Sequence, residues 1–204
     1  FTYKFKCNST GFLGMEITVK EPTVMKLHFD ELLDEKGRVR FNSQFEGRMF
    51  YELQPGKYTV ESFEPYTMQY MEVLVESGDC TIERVYMRDY CNSDVSRGQF
   101  ASDNADLNRL FEAARETYRQ NALDIFMDCP SRERAGWIGD SYFTAKGEYA
   151  LTGETKTEDA FLENYRLYEN EGEFPEGAIP ECYPSDMPPK GDFIPQFTMF
   201  YILE

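Results

Sequence analysis

The stretch DCPSRERAGWIGD, residues 128–140, packs three carboxylates, two arginines and the chain's single tryptophan into thirteen positions. It is too charged for a core element and too aromatic for a plain solvent loop. Carboxylates held close together raise the pKa of at least one of them. A carboxylic acid that stays protonated near neutral pH can give its proton to a leaving oxygen. A group of carboxylates also suits a transition state that carries positive charge, as an oxocarbenium ion does. Trp137 adds a flat apolar face on which a sugar ring could stack. Asp128, Glu133, Trp137 and Asp140 therefore fit glycoside hydrolysis. A plainer reading stands beside it: Arg132 and Arg134 pair with Glu133, Asp140 caps a helix, Trp137 is core, and the cluster is structural.

Other clusters carry less chemistry. Gly11 to Gly14 lacks the spacing and the following lysine of a phosphate loop. Asp30, Glu31, Asp34 and Glu35 could face a calcium ion but lack the EF-hand glycine, so a solvated turn is the better reading. No GxSxG elbow occurs. The five cysteines, Cys7, Cys80, Cys91, Cys129 and Cys182, show no metal-finger spacing and read as isolated thiols. His28, the one histidine, reads as a strand residue, and a single histidine cannot build a multi-histidine metal site. Glu171, Glu173 and Glu176 could touch a substrate from a loop. Nothing here calls for a cofactor or a metal.

The elements that must position the motif follow from hydrophobic period. Residues 1–95 alternate or favour β-branched and aromatic types in KFKC, MEITVK, TVMKLHF, RVRFNSQF, KYTVESF, MQYMEVLVE and TIERVYM. Turn signals at Glu21-Pro22, Glu35-Lys36-Gly37, Pro55-Gly56 and Ser77-Gly78-Asp79 predict many short strands, in an antiparallel sandwich or open sheet. Near residue 100 the period changes. Leu107, Leu110, Phe111, Ala114, Tyr118, Ala122 and Ile125 predict one helix over 102–126, capped by Ser102 or Asp103. A second helix starts near Asp140 and stops at Gly153. Thr155 and Glu158 have capping-box spacing and predict a third. A proline-rich loop, EGEFPEGAIPECYPSDMPPKGD, leads to a fourth helix from about Pro195. This gives a β region over 1–95 and helices over 96–204.

Composition narrows the partners. Thirty-seven acidic against 21 basic residues give a net charge of -16. That argues against nucleic acid, whose binders neutralise phosphates with a basic surface, and against an anionic membrane. No apolar run nears the roughly 20 residues that span a bilayer. The chain opens on FTYKFKC with no initiator methionine and closes on the apolar FIPQFTMFYILE, which predicts a piece of a longer polypeptide.

The stretch FMDCPSRERAGWIGDSYFTAKGEYALTGE resembles the catalytic-domain signature of α-L-rhamnosidases of glycoside hydrolase family 78. The likeness extends to the preceding helix, to EGEFPEGAIPECYP and to KGDFIPQF, and so covers roughly residues 95–204. It implies a β-sandwich region followed by the first helices of an (α/α) barrel of six hairpins, here truncated. It implies hydrolysis of terminal α-L-rhamnosides with inversion, on a rhamnose-containing glycoside or polysaccharide. By the same resemblance Glu133 falls on the general acid and Asp128 and Asp140 on residues that bind rhamnose hydroxyls. Trp137 falls on the aromatic of the sugar pocket, and Asp192 on another pocket position. Many members carry an extra aspartate just before the acid, where this chain has Arg132. The family's general base lies further along the barrel than Glu204, so the resemblance implies that these residues alone are inactive. Two alternatives stand: a related six-hairpin enzyme acting on another sugar, and a non-catalytic carbohydrate-binding piece.

Overall fold

The computed structural model describes residues 1–40, 47–170, 172, 174–185 and 193–204. The described chain falls into two compact units, Phe1–Tyr90 and Cys91–Glu204, each with its own apolar core.

The first unit is a four-stranded antiparallel sheet. Its strands are β1 (Thr2–Asp30), β2 (Arg48–Leu53), β3 (Gly56–Glu61) and β4 (Tyr66–Asp89). Odd-numbered apolar side chains of β1 from Leu13 to Phe29 point inward. Leu13, Met15, Ile17, Val19, Met25, Leu27 and Phe29 are all buried, while Glu16, Lys20 and Lys26 alternate outward. That two-residue period is what a sheet with one buried face requires. Burying each such side chain favours folding by about 1.5–3 kcal/mol. Met68, Met71 and Val73 of β4 complete the core.

The many short strands expected from the turn signals merge into two long ones. Glu21-Pro22 and Ser77-Gly78-Asp79 face each other, and the pairing passes through them with register shifts between Val19, Glu21 and Val24. An irregularity of this kind bends a strand and raises its twist without ending it. Gly78 sits at a φ of 89°, and a Cβ there would lie 2.4 Å from the Pro22 carbonyl oxygen. Met71 pairs with both Tyr3 and Phe29, so the two ends of β1 flank the start of β4 and the open sheet curls. The expected strand RVRFNSQF is not found over residues 38–40, which form a turn closed by a Leu33–Val39 bridge. Its remainder lies outside the described residues. β2 went unread in the sequence.

The second unit holds α1 (Ala105–Asn121), α2 (Ile138–Thr152), α3 (Lys156–Arg166) and α4 (Pro195–Leu203). Ser102 and Asp103 do not cap α1. The Asn104 side chain does, accepting from the Asp106 and Leu107 amides. The helix also stops before 126. A tight turn bridging Ala122 and Phe126 buries Ile125 and Phe126 against Tyr118 and Phe161. The face expected to be apolar is therefore buried only at its end, and Leu107 and Leu110 remain exposed. Gly153 ends α2 in the left-handed conformation, φ 72°. The expected capping box at Thr155 does not form, since Thr155 makes no side-chain cap bond. A buried carboxylate from the neighbouring helix replaces it. Glu148 of α2 accepts from the Thr157 and Glu158 amides at 2.8 and 2.9 Å.

Candidate active site

The motif forms the connection from α1 to α2. Its first carboxylate closes a loop on itself: the Asp128 amide donates to the Ala135 carbonyl at 3.2 Å, and Asp128 Oδ1 accepts the Ala135 amide at 3.1 Å. Within that loop Arg134 takes a φ of 50°. A non-glycine residue pays about 1–2 kcal/mol for this conformation.

After the loop, residues 136–138 are tied into a short ladder with the proline-rich segment. The Gly136 amide donates to the Pro184 carbonyl, the Tyr183 amide to Gly136, and the Ile138 amide to Glu181. Trp137 and Cys182 pair as a β-bridge. Beneath them the buried Tyr165 hydroxyl of α3 donates to the Gly136 carbonyl at 2.6 Å. Trp137 is the residue before α2 and Asp140 lies in its first turn, so Asp140 is not the N-cap. An acidic side chain there is favoured by the helix dipole.

The charges of Asp128 and Glu133 reach Asp140. Asp140 is raised above its ordinary carboxyl value, by partial burial first and then by the charges of Asp128 and Glu133. Asp140 is exposed as a residue, so its own loss of water is limited. The like charges of its neighbours are the informative cause. Glu133 is also exposed, and Trp137 Nε1 donates to its Oε2 at 2.8 Å. The guanidinium of Arg132 is raised foremost by a hydrogen bond with Cys129, and only less by the charges of Glu133 and Asp128.

Several neighbours escaped the sequence. Burial and the charges of Asp128, Glu133 and Glu181 push the Cys182 thiol up to about 12, against a hydrogen bond with Ser185. Cys182 thus marks where the proline-rich segment meets the carboxylates and is itself an unreactive neutral thiol. The length of that loop was a signal that it has a function, but nothing in it singled out Cys182 or Tyr183. Glu176 is exposed in a turn of the same loop. Glu171, Glu173 and Asp192 lie outside the described residues. Among the described residues no group of three or more metal-ligating side chains converges. Asp34 Oδ1 accepts the Lys36 and Arg38 amides, which makes the acidic run at 30–35 a turn. A cleft of about 310 Å³ on the β unit, lined in part by Glu16, Lys57, Tyr58 and Glu83, holds none of the motif.

A family model described as the bacterial α-L-rhamnosidase six-hairpin glycosidase domain matches residues 96–202. The chain belongs to this family. An α-L-rhamnosidase of Alteromonas sp. (strain LOR) is 27% identical over 80% of this chain and 20% of its own length. The family 78 rhamnosidase of Bacillus sp. GL1 matches 99% of this chain and 20% of its own, with a TM-score of 0.86 at 24% identity. The rhamnosidase of Klebsiella oxytoca, solved with rhamnose bound, matches 98% of this chain and 42% of its own, with a TM-score of 0.77 at 14% identity. This rhamnosidase-family chain thus spans about a fifth of the length of the first two relatives, and it shares its fold with the two solved structures. The family 78 resemblance read from FMDCPSRERAGWIGD is borne out.

Proposed function

We propose that this chain supplies the acid side of an α-L-rhamnosidase active site. Residues 1–95 serve as a β-sandwich accessory region, and residues 96–204 begin the six-hairpin barrel. Glu133 is the general acid. Asp128 and Asp140, with Asp192, bind the rhamnose hydroxyls, and Trp137 offers its ring to the sugar. The observation that carries this reading is the placing of Asp128, Glu133 and Asp140 in and just after the connection from α1 to α2, where the Trp137 indole donates to Glu133 and the charges of Asp128 and Glu133 raise Asp140.

In the proposed step the proton of Glu133 passes to the glycosidic oxygen as the bond to the anomeric carbon breaks. The electron pair of that bond leaves with the alcohol. Water adds to the opposite face and gives its proton to a second carboxylate, roughly 6.5–9.5 Å from the acid in an inverting enzyme. That base belongs to a later part of the barrel. The substrate is a terminal α-L-rhamnoside of a glycoside or polysaccharide.

The test is hydrolysis of aryl α-L-rhamnosides by the full-length protein, with the anomer of the first-formed sugar read by NMR. Glu133→Gln keeps the shape but cannot donate a proton, so kcat should fall about 10²- to 10⁴-fold on poor leaving groups and less on nitrophenyl rhamnosides. An equal loss on all leaving groups would remove Glu133 from the role. Turnover of another glycoside in preference to rhamnosides would remove the substrate.

A further inference from the structure

We infer that Trp137 is a positioning residue for the proton-donating carboxyl of Glu133, a role separate from stacking on sugar and resting on the acid assignment proposed above. The argument starts from unequal anchoring. Glu133 sits at the exposed tip of the loop closed by Asp128 and Ala135. Trp137 stands on the backbone that Pro184, Tyr183, Glu181 and Tyr165 hold from two sides. The bond from Trp137 Nε1 to Glu133 Oε2, 2.8 Å, therefore ties a loop-borne acceptor to a fixed donor.

The direction of that bond has a chemical consequence. Indole N–H only donates. In a neutral carboxylic acid one oxygen carries the proton and the other accepts. An N–H aimed at Oε2 assigns the accepting role to that atom and leaves the proton on Oε1, the oxygen that must face the glycosidic bond. The donor uses the edge of the indole, so its face stays available to a sugar ring. One side chain thus holds the acid in a single orientation and spares the acid the search for it, which is the kind of alignment that proximity effects reward.

The experiment compares Trp137→Phe, Glu133→Gln and wild type in the full-length enzyme, on a series of α-L-rhamnosides whose leaving groups range from nitrophenols to alkyl alcohols. Trp137→Phe keeps an apolar ring but lacks the N–H. Its kcat should fall about 10- to 100-fold on alkyl rhamnosides, a part of what general acid catalysis supplies, and less than about threefold on nitrophenyl rhamnosides. Any loss of stacking shows in KM for all substrates alike. Replacing Trp137 by the isosteric benzothienylalanine, which has sulfur in place of N–H, should reproduce the leaving-group dependence without a change in ring area, and it covers the case in which Trp137→Phe does not fold. If Glu133→Gln shows the leaving-group dependence and neither Trp137 replacement does, this inference is overturned and the acid assignment stands. If Glu133→Gln itself shows a uniform loss, both fall together.

Discussion

Asp140 pays for its neighbours whenever it ionises. Its folded pKa lies above the ordinary value of 3.8, from burial and from the charges of Asp128 and Glu133. A raised folded value means that the native state holds the proton more tightly than the unfolded chain does. The resulting stability is fully present below the ordinary value and is lost as pH rises through the folded one. Asp140→Asn stays neutral throughout. Thermal melts should show the variant level with wild type near pH 3 and more stable at pH 7. Rhamnose affinity, measured on the full-length protein, should move the other way, because the charged acceptor of the proposed hydroxyl contacts is lost. Stability surrendered at a site in return for binding is the pattern expected where like charges are held together for use. Asp140→Asn melts that are no higher than wild type at pH 7 would mean that the three carboxylates repel too weakly to matter.

The junction of α2 and α3 depends on one side chain. Glu148 is almost wholly buried and takes both the Thr157 and Glu158 amides. A carboxylate at a helix N-terminus satisfies donors that have no partner inside the helix. Removing it leaves the buried Thr157 amide unpaired, at about 1–3 kcal/mol. Glu148→Ala should therefore lower the stability of the helical unit by about 2–4 kcal/mol once the lost packing is added. Glu148→Gln, which keeps one acceptor oxygen, should lose roughly half as much. Guanidinium titration followed by far-ultraviolet circular dichroism measures both. α3 carries Tyr165, which props Gly136 beside Trp137. A loosened α3 should thus also reduce the proposed rhamnosidase activity of the full-length protein.

At the scale of the whole chain, a net charge of -16 sets up self-repulsion that the compact state feels more than the unfolded one. The ion pairs set against it are mostly exposed, such as Arg109–Asp106 and Lys20–Asp79, and such pairs contribute little. Screening should therefore stabilise the chain, and Tm should rise as salt goes from about 20 mM to about 500 mM. A falling Tm would show that the surface pairs outweigh the repulsion. Large apolar side chains lie open on the helices, among them Leu110, Phe143, Ile202 and Leu203. In the proposed function these are the faces that further barrel helices cover. The 204 residues assayed alone should not hydrolyse an aryl α-L-rhamnoside between pH 4 and 8, since in the proposed function they carry the acid, Glu133, and the base belongs to a later part of the barrel. Turnover that vanishes in Glu133→Gln would place the base within this chain.

The sequence by itself determined the change from β to helical period near residue 100, the stop of α2 at Gly153, the start of α4 at Pro195 and the family, because each is written in local spacing or in one contiguous motif. It also determined which residue types were gathered at 128–140. It did not determine strand number. A proline or glycine signals a turn locally, but paired register shifts across β1 and β4 let the ladder run through Glu21-Pro22 and Ser77-Gly78-Asp79. The capping of α3 was hidden for the same reason. Thr155 and Glu158 have the right spacing, yet Glu148 reaches the amides first from another helix. That the Trp137 indole donates to Glu133 was likewise not legible in the residues, where Arg132 and Arg134 are the immediate neighbours of Glu133. Only the tertiary fold decided it. The ladder with residues 181–184 and the hydroxyl of Tyr165 set the Trp137 backbone in place, and its indole N–H then meets Glu133 Oε2.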